Sequence, residues 1–403
     1  MRERVQLQEV SASPALQVES VPAALQEGGP HYLEYPPSKI RGGLEKRRPD
    51  WGNPWAAVVL DDDVVKHLQG CGHTWESFKN TSTGERKVRL TDYCHERLFC
   101  GVCATSEANE RASTWIENFR AVAAAFPVDV AGLQATFTIP AALSSLVAAH
   151  PKRREVLSAL FRGVHRVMEG AGVLGWVVVM HAVSSKHPER PHVHFIVFYP
   201  GVAADGSILG GWMDRERFAA RRRAFLGAWN RELAGVCKAY ELGGWVSENV
   251  HLSYSREVSD LSSRLHYEMR PPLQDAFIHG RDSAEQLREA VSLALAFLYP
   301  SDEGKQAFRR IRAGGRFAPR VLTGFMESLG YQKREKEDTG EWVSEGLALL
   351  VAEGEVSCSY VLVNTGEVFT VPKSLVSVAG HGCPYEWVRP PGGGRGAPPE
   401  LGG

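Results

Sequence analysis

Short apolar segments alternate with amphipathic ones through the middle of the chain. Residues 133–140, 174–183 and 191–200 are short and rich in β-branched and aromatic side chains, which is typical of buried β-strands. Seven residues separate the second from the third, so these two are expected to form a hairpin. Residues 142–172 between the first two segments have helical periodicity, with an interruption at Pro151.

Amphipathic segments with a period near 3.6 predict further helices on both sides of these strands. The apolar spacing indicates helices over 108–126, 214–236, 257–270 and 282–299, and the third of these ends before Pro271-Pro272. Residues 244–254 have the pattern of another strand. The middle of the chain therefore alternates strands with helices.

Changes in composition divide the chain into five segments. Both ends are rich in Pro, Gly and charge and have little periodicity, which predicts poorly ordered termini. A hairpin with an Asn-Thr-Gly turn is expected at 360–372. The predicted segments are an arm (1–58), a zinc-binding module (59–107), a main domain (108–303), a small α+β unit (304–390) and a tail (391–403).

Overall composition excludes some classes of protein. The chain has 403 residues, of which 43% are hydrophobic, so it can bury a sizeable core. It begins without an apolar signal segment and has no run of about 18 apolar residues, so a cytoplasmic protein without membrane contact is expected. The formal net charge of −1 indicates nothing about its partners.

Local charge is more informative than the net charge. Residues 305–320 carry six basic and no acidic side chains, and residues 215–231 carry six arginines against one glutamate. Aromatic residues interleave with these arginines, a pattern that suits a nucleic-acid backbone with stacked bases. A solvated helix face with a core stripe is the alternative for either segment. The candidate DNA-binding residues here are Arg221, Arg222, Arg309 and Arg310.

Two histidines lie two positions apart in an otherwise apolar strand. The side chains of His192 and His194 therefore point to the same face of that strand. Imidazoles in such a setting are costly to desolvate without a partner, and a divalent metal is a common one. His181 lies on the preceding strand and could face either of them across the hairpin. Three such imidazoles would make a small open metal site; histidines satisfied within the core are the alternative.

Tyr267 lies opposite the apolar stripe of the helix predicted over 257–270. That stripe consists of Val258, Leu261, Leu265 and Met269. Arg264 and Arg270 flank Tyr267 at three residues on either side, and Arg264 is a further candidate DNA-binding residue. A phenol held away from the core between two guanidiniums suits nucleophilic attack on a phosphodiester. An exposed tyrosine on a surface helix is the alternative, and Tyr254 and, more weakly, Tyr299 are rival nucleophiles.

Four of the seven cysteines cluster near the start of the main domain. Cys100 and Cys103 form a CxxC pair, preceded by Cys94 and Cys71. This spacing fits a structural Zn²⁺ site with four thiolates, in which the metal stabilises a segment with little core of its own. His73 and His95 are alternative ligands if one cysteine is not used.

Four motifs in this order resemble the HUH endonuclease superfamily, especially rolling-circle replication initiators and related single-strand DNA transposases. TFTIP (136–140) is similar to the first family motif and PHVHFIV (191–197) to the His-hydrophobic-His metal motif. HYEMRPP (266–272) resembles the nucleophile motif, with Arg270 in its basic position, and YCHERLFCGVC (93–103) resembles a Cys-rich element found before the nuclease domain. The histidine motif precedes the tyrosine, whereas relaxases have the opposite order.

The resemblance implies an α+β fold whose central antiparallel sheet is flanked by helices. It implies a single-stranded DNA endonuclease that nicks a replication origin, with Tyr267 as the nucleophile, catalytic Mg²⁺ or Mn²⁺ at His192, His194 and His181, and structural Zn²⁺. A 5′-phosphotyrosyl intermediate and a free 3′-OH follow from the family chemistry, with origin DNA and host replication proteins as partners. Family members often have an acidic residue in place of His181.

Three other interpretations remain open from the sequence. A single-strand DNA transposase would use the same chemistry. A zinc-containing nucleic-acid-binding protein without catalysis would keep the histidines structural and form no covalent adduct. A small-molecule metal hydrolase could use the His-x-His pair, although the further aspartate ligands usual in such enzymes are not evident.

Overall fold

The computed structural model describes eleven ranges of the chain. These are 74–91, 101–126, 128–184, 190–210, 214–273, 284–299, 307–335, 342–354, 356–372, 375–377 and 384–389. The predicted N-terminal arm and C-terminal tail lie outside them. Within these ranges the protein is α+β, with seven α-helices and predominantly antiparallel sheets.

The strands and helices follow one another in a mixed order. The strands are β1 (Thr74–Asn80), β2 (Arg86–Leu90), β3 (Gly132–Thr138), β4 (Gly175–Val183), β5 (Pro191–Pro200), β6 (Val250–Ser255), β7 (Ile311–Gly315), β8 (Gln332–Glu335), β9 (Trp342–Glu353), β10 (Ser357–Leu362), β11 (Val368–Pro372), β12 (Val376–Ser377) and β13 (Tyr385–Val388). The helices are α1 (Gly101–Ala124), α2 (Ala141–Ala149), α3 (Arg153–Gly170), α4 (Arg215–Ala239), α5 (Ser262–Glu268), α6 (Ala284–Leu298) and α7 (Leu322–Ser328).

A five-stranded antiparallel sheet forms the centre of the molecule. Its strand order is β6-β3-β5-β4-β7, and β4 and β5 form the expected hairpin. The three apolar segments singled out in the sequence are thus its inner strands. Residues 311–315, which the sequence assigned to a separate C-terminal unit, form the edge strand β7 and pair with β4. The predicted boundary at 303/304 therefore does not separate this sheet from the C-terminal part of the chain.

Both faces of this sheet are covered by helices, as expected for side chains that alternate along a strand. On one face, odd-numbered residues of β5 such as Val197 pack against α3 and α4. On the other face, even-numbered residues such as Ile196 and Phe198 pack against α1, α5 and α7. The same alternation fixes which face the histidines of β4 and β5 share.

A six-stranded sheet joins two segments that are far apart in the sequence. Its order is β11-β10-β9-β1-β2-β12, and β1 pairs with β9 along its whole length. The strands of the predicted zinc module and those of the predicted C-terminal unit therefore form one sheet around a shared core that includes Trp75 and Tyr360. Sequence periodicity identifies strands but not such distant pairings, so it did not reveal that strands of these two segments share a sheet.

A small two-stranded ribbon attaches the end of the described chain to α1. Strand β13 pairs with β8. Asn118 of α1 accepts hydrogen bonds at Oδ1 from the Tyr385 hydroxyl (3.1 Å) and from Trp387 Nε1 (2.8 Å). The helix α1 begins at Gly101 instead of the predicted 108 and so links the two large sheets.

Two predicted elements differ in extent from those observed. Strand β6 begins at Val250 instead of 244, because Asn230 binds both the N–H and the carbonyl of Ser247 and holds that segment as a loop. The helix predicted over 257–270 is a 3-10 turn (Val258–Leu261) followed by α5. None of the described helices combines the length and apolar character needed to cross a membrane.

Candidate functional site

Three histidines form one cluster on the central sheet. His181 of β4 is the direct pairing partner of His194 on β5, and His192 lies two residues before His194. The ring centres of His181 and His194 are 5.2 Å apart, and those of His192 and His194 are 5.0 Å apart. By the alternation along the strands, all three lie on the face covered by α1 and α5. The predicted convergence of the three imidazoles is therefore found.

The environment of the cluster favours neutral imidazoles. Burial, together with the nearby charge of Arg270, lowers the pKa of His181 well below its usual value. Burial and the neighbouring His192 lower the pKa of His194 to about 4. Burial also lowers the pKa of His192, which is half-buried. Neutral imidazoles are the form that binds metal ions.

The cluster fits a divalent metal by residue type and spacing but not by the direction of every ring. Imidazole nitrogens bind metals at about 2.1 Å, which places the centres of two ligand rings roughly 5 Å apart, as found. His181 Nε2, however, faces the backbone carbonyl of Glu268 at 2.8 Å. Within the described ranges, no group of three or more His, Cys, Asp or Glu side chains is arranged so that it could hold a metal ion. Binding would require the His181 ring to turn.

Helix α5 presents Tyr267 to solvent, as the sequence predicted. The stripe residues Val258, Leu261, Leu265 and Met269 are at most 3% exposed, whereas Tyr267 is 57% exposed. The stripe packs against α1 on the histidine face of the sheet. The phenol is therefore accessible and lies on an element held rigidly by its buried side.

The last residue of α5 contacts the histidine cluster directly. Besides the backbone contact, the Glu268 carboxylate oxygen Oε2 lies 3.2 Å from His181 Nε2. Glu268 follows Tyr267 in sequence, so the backbone of Tyr267 is one residue away from a group that touches the cluster. Sequence reasoning missed Glu268, because its proximity depends on how α5 crosses the sheet.

Arg270 contacts both Tyr267 and Glu268. Its guanidinium lies over the Tyr267 ring, with Cζ 4.3 Å from the ring centre. Its Nη1 donates to the Tyr267 carbonyl at 3.0 Å and lies 3.4 Å from Glu268 Oε2. Arg270 is only 8% exposed, so the cation is held against the tyrosine ring within the protein.

Arg310, predicted to bind DNA, contacts the protein backbone. Its Nη2 donates to the carbonyls of Met269 (3.1 Å) and Arg270. These contacts connect the segment before β7 to the end of α5. Arg310 thus supports the position of the tyrosine motif.

The other predicted DNA-binding arginines lie in different places. Arg264 donates to the Ser253 hydroxyl of β6 at 2.8 Å, and Arg222 donates from Nε to Asn249 at 3.1 Å. Arg221 lines a cavity beside Tyr199, near the opposite end of β5 from the histidines. Arg309 is exposed in the segment before β7. The structure does not bring these arginines together at one site.

The rival nucleophile Tyr254 lies far along the sheet from the histidine cluster. Tyr254 of β6 pairs with Leu133, whereas His194 pairs with Thr138 at the other end of β3. Five residues of strand correspond to roughly 17 Å, which argues against Tyr254 as the nucleophile. Tyr299 packs at the end of α6 against a separate apolar cluster that includes Val183.

One of the predicted zinc ligands lies within the described residues. Cys103 of α1 is 5% exposed and packs in the core of the six-stranded sheet with Trp75 and Cys358. Cys71, Cys94 and Cys100, and the alternative ligands His73 and His95, lie outside the described ranges. The structural zinc site therefore stays a prediction.

Comparison of the chain with protein-family models, with curated proteins and with solved structures found no match.

Proposed function

We propose that the protein is a single-stranded DNA nicking and joining endonuclease in which Tyr267 is the nucleophile. The observation that carries the proposal is the contact of α5 with the histidine cluster through Glu268. An exposed phenol, a buried cation against its ring and three neutral imidazoles thus occur within one small region.

The proposed reaction is a transesterification at a phosphodiester. The Tyr267 hydroxyl oxygen bonds to phosphorus, the bond between phosphorus and the 3′ oxygen breaks, and the phenol loses its proton. The departing 3′ oxygen takes up a proton, which leaves a 3′-OH and a 5′-phosphotyrosyl link. Reversal of the same steps rejoins the strand.

Arg270 is the positioning residue for the nucleophile. A cation over the ring face is attracted by the ring's negative potential and favours the negative charge that develops on the phenol. Because Arg270 is buried and also bonds the Tyr267 carbonyl, it restricts the tyrosine to few orientations.

His192, His194 and, after rotation, His181 would hold Mg²⁺ or Mn²⁺. When bound, such an ion supplies charge that polarises the scissile phosphate. Glu268 lies beside His181 and supplies the acidic group that the histidine cluster itself lacks. The His-x-His motif and the tyrosine motif that follows it resemble those of HUH endonucleases in kind and order.

The biological role we propose is initiation of rolling-circle replication at an origin. The 3′-OH released by the reaction would prime synthesis, and host replication proteins would extend it. A single-strand DNA transposase would share every chemical step, so the surrounding DNA in the genome distinguishes these roles.

Incubation with single-stranded DNA hairpins and Mn²⁺ tests the proposal. A covalent protein–DNA band should appear on a denaturing gel with the wild-type chain and should be absent with Tyr267→Phe. Tyr254→Phe is the matched control and should form the band normally. Loss of the band with Tyr254→Phe instead would refute the assignment of the nucleophile.

A double variant tests the histidine cluster. His192→Ala/His194→Ala should reduce adduct formation by on the order of a hundredfold or more, because the charge that polarises the phosphate is lost. An undiminished adduct in this variant would refute the metal site. No adduct with any variant or with wild type would favour a binding protein without catalysis.

A further inference from the structure

An arginine-rich cleft lies beside the histidine site. It has a volume of about 840 Å³ and runs between α1 and the edge strand β7. Pro271, Pro272 and Arg310 line this cleft and also line the smaller cavity next to His181. The cleft therefore adjoins the cavity beside His181.

Positive charge accumulates along this cleft. Arg312 is half-buried, and its burial together with repulsion from Arg309, Arg162 and Arg154 lowers its pKa. Of the cleft-lining side chains in the described ranges, only Glu107 is acidic, and it forms an ion pair with Arg111. Several guanidiniums held close together are favourable where a polyanion lies against them.

Aromatic rings accompany these cations. The Arg312 guanidinium lies 4.2 Å from the ring centre of Phe161 and 4.9 Å from that of Phe308. Phe308 and the half-buried Trp115 line the cleft. Phe161 and Phe308 are at most 4% exposed and pack against the Arg312 guanidinium, so Trp115 is the ring of these three that a base can reach. A ring beside guanidiniums suits a single strand, because an unpaired base stacks on it while phosphates meet the cations.

We propose that this cleft binds the single-stranded nucleic acid next to the scissile phosphate, with Arg309 and Arg312 on phosphates and Trp115 against a base. The inference rests on the proposed nuclease function and identifies the route of its substrate. A duplex keeps its bases stacked on each other and leaves Trp115 without a partner. An acidic peptide would use the charge but not the rings.

Binding can be measured without cleavage in the Tyr267→Phe chain. Fluorescence anisotropy with a labelled oligo-dT of about 20 nucleotides gives the affinity and its dependence on salt. Adding Arg309→Gln/Arg312→Gln should weaken binding by on the order of tenfold. It should also reduce the salt slope, which is the slope of log affinity against log salt concentration, by about 1.4, since each lost phosphate contact removes about 0.7.

The matched control removes two exposed positive charges elsewhere. Arg120→Gln/Lys238→Gln, also made in Tyr267→Phe, should leave affinity and salt slope unchanged. Arg312 packs on Phe161, so its replacement could disturb the fold. Arg309 is exposed, so Arg309→Gln alone is a second variant that avoids this, and it should reduce the salt slope by about 0.7. Trp115→Leu should weaken oligo-dT binding roughly fivefold or more while leaving the slope unchanged.

Three results would overturn the inference. These are equal losses in the cleft and control variants, duplex DNA bound as tightly as oligo-dT, or poly-glutamate competing as well as oligo-dT. Failure of the nuclease proposal alone gives another result. Oligo-dT binding would then still depend on the cleft arginines, but the wild-type chain would form no covalent adduct. Oligo-rU binding equal to that of oligo-dT supports the cleft as a general single-strand site.

Discussion

Single side chains account for most of what the sequence revealed about the site. The His-x-His spacing and the alternation of β-strands placed His192 and His194 on one face, and the hairpin placed His181 beside them. Helical spacing put Tyr267 opposite the buried stripe, where it is exposed. Glu268 could not be identified in this way, because its contact with His181 depends on the crossing of a helix over a sheet.

The guanidinium of Arg270 is predicted to affect catalysis more than folding. Arg270→Met keeps a side chain of similar length but removes the cation over Tyr267, so adduct formation should slow by about tenfold to a hundredfold. Arg270→Lys should recover only part of the rate, since an ammonium cannot reproduce the planar contacts. Single-turnover gels measure both, and an unchanged rate in Arg270→Met would refute the positioning role.

Gly314 on β7 is predicted to be essential for packing. An added Cβ would lie 2.5 Å from His165 Nδ1 and 2.5 Å from the Trp176 ring, so Gly314→Ala should cost about 1–3 kcal/mol. Gly324→Ala on α7 is the matched control, because its Cβ meets open space and alanine favours the helix. Thermal unfolding compares the two; equal melting temperatures would contradict the packing account.

Helices and strands were predicted well where their own periodicity defines them. The inner strands β3, β4 and β5 and the helices α2 to α4 follow directly from local patterns. Strand β7 was not recognised as part of the central sheet, because the short segment IRAGG has no alternation of its own. Its pairing with β4 is a long-range contact that local periodicity does not encode.

An ion pair connects two elements of the six-stranded sheet and predicts a pH dependence. Arg86 of β2 binds Glu345 of β9 through Nε (2.7 Å) and Nη2 (2.9 Å), and this holds the pKa of Glu345 below its usual 4.5. The pair therefore stabilises the fold fully above about pH 4.5. This stabilisation is lost as the pH falls through the lowered pKa that Glu345 has in the folded protein.

Urea unfolding of wild type and Arg86→Met across the acidic range measures this contribution. Near pH 7 the variant should be less stable by about 1–2 kcal/mol, because both side chains are mostly buried. The difference should shrink below pH 4.5. A difference that is independent of pH would show that Arg86 acts through packing alone.

The whole molecule is organised by contacts between distant segments. Strands β1 and β2 form one sheet with β9 to β12, and α1 joins that sheet to the central one. Composition predicted boundaries at 107/108 and 303/304. Strands from the segments outside these two boundaries nevertheless pack around a common core. Such pairings are fixed by packing of the complete chain, so the sequence patterns did not reveal them.

Removal of residues 342–403 is therefore predicted to expose the N-terminal hairpin. Without β9, strand β1 keeps only β2 as a pairing partner, and Trp75 loses its contact with Tyr360. Trypsin should then cut rapidly at Arg86, Lys87 and Arg89, which the longer chain protects. A chain lacking only 391–403 is the control, and equal cleavage of both shortened chains would contradict the shared sheet.

The proposed nuclease function depends most on the identity of the nucleophile. Mass spectrometry of the peptide that remains linked to DNA after protease and nuclease digestion identifies the modified residue directly. We expect a nucleotide adduct on Tyr267 within the peptide that contains His266 and Glu268. An adduct on Tyr254 or Tyr299, or no modified tyrosine in a chain that still nicks DNA, would contradict it.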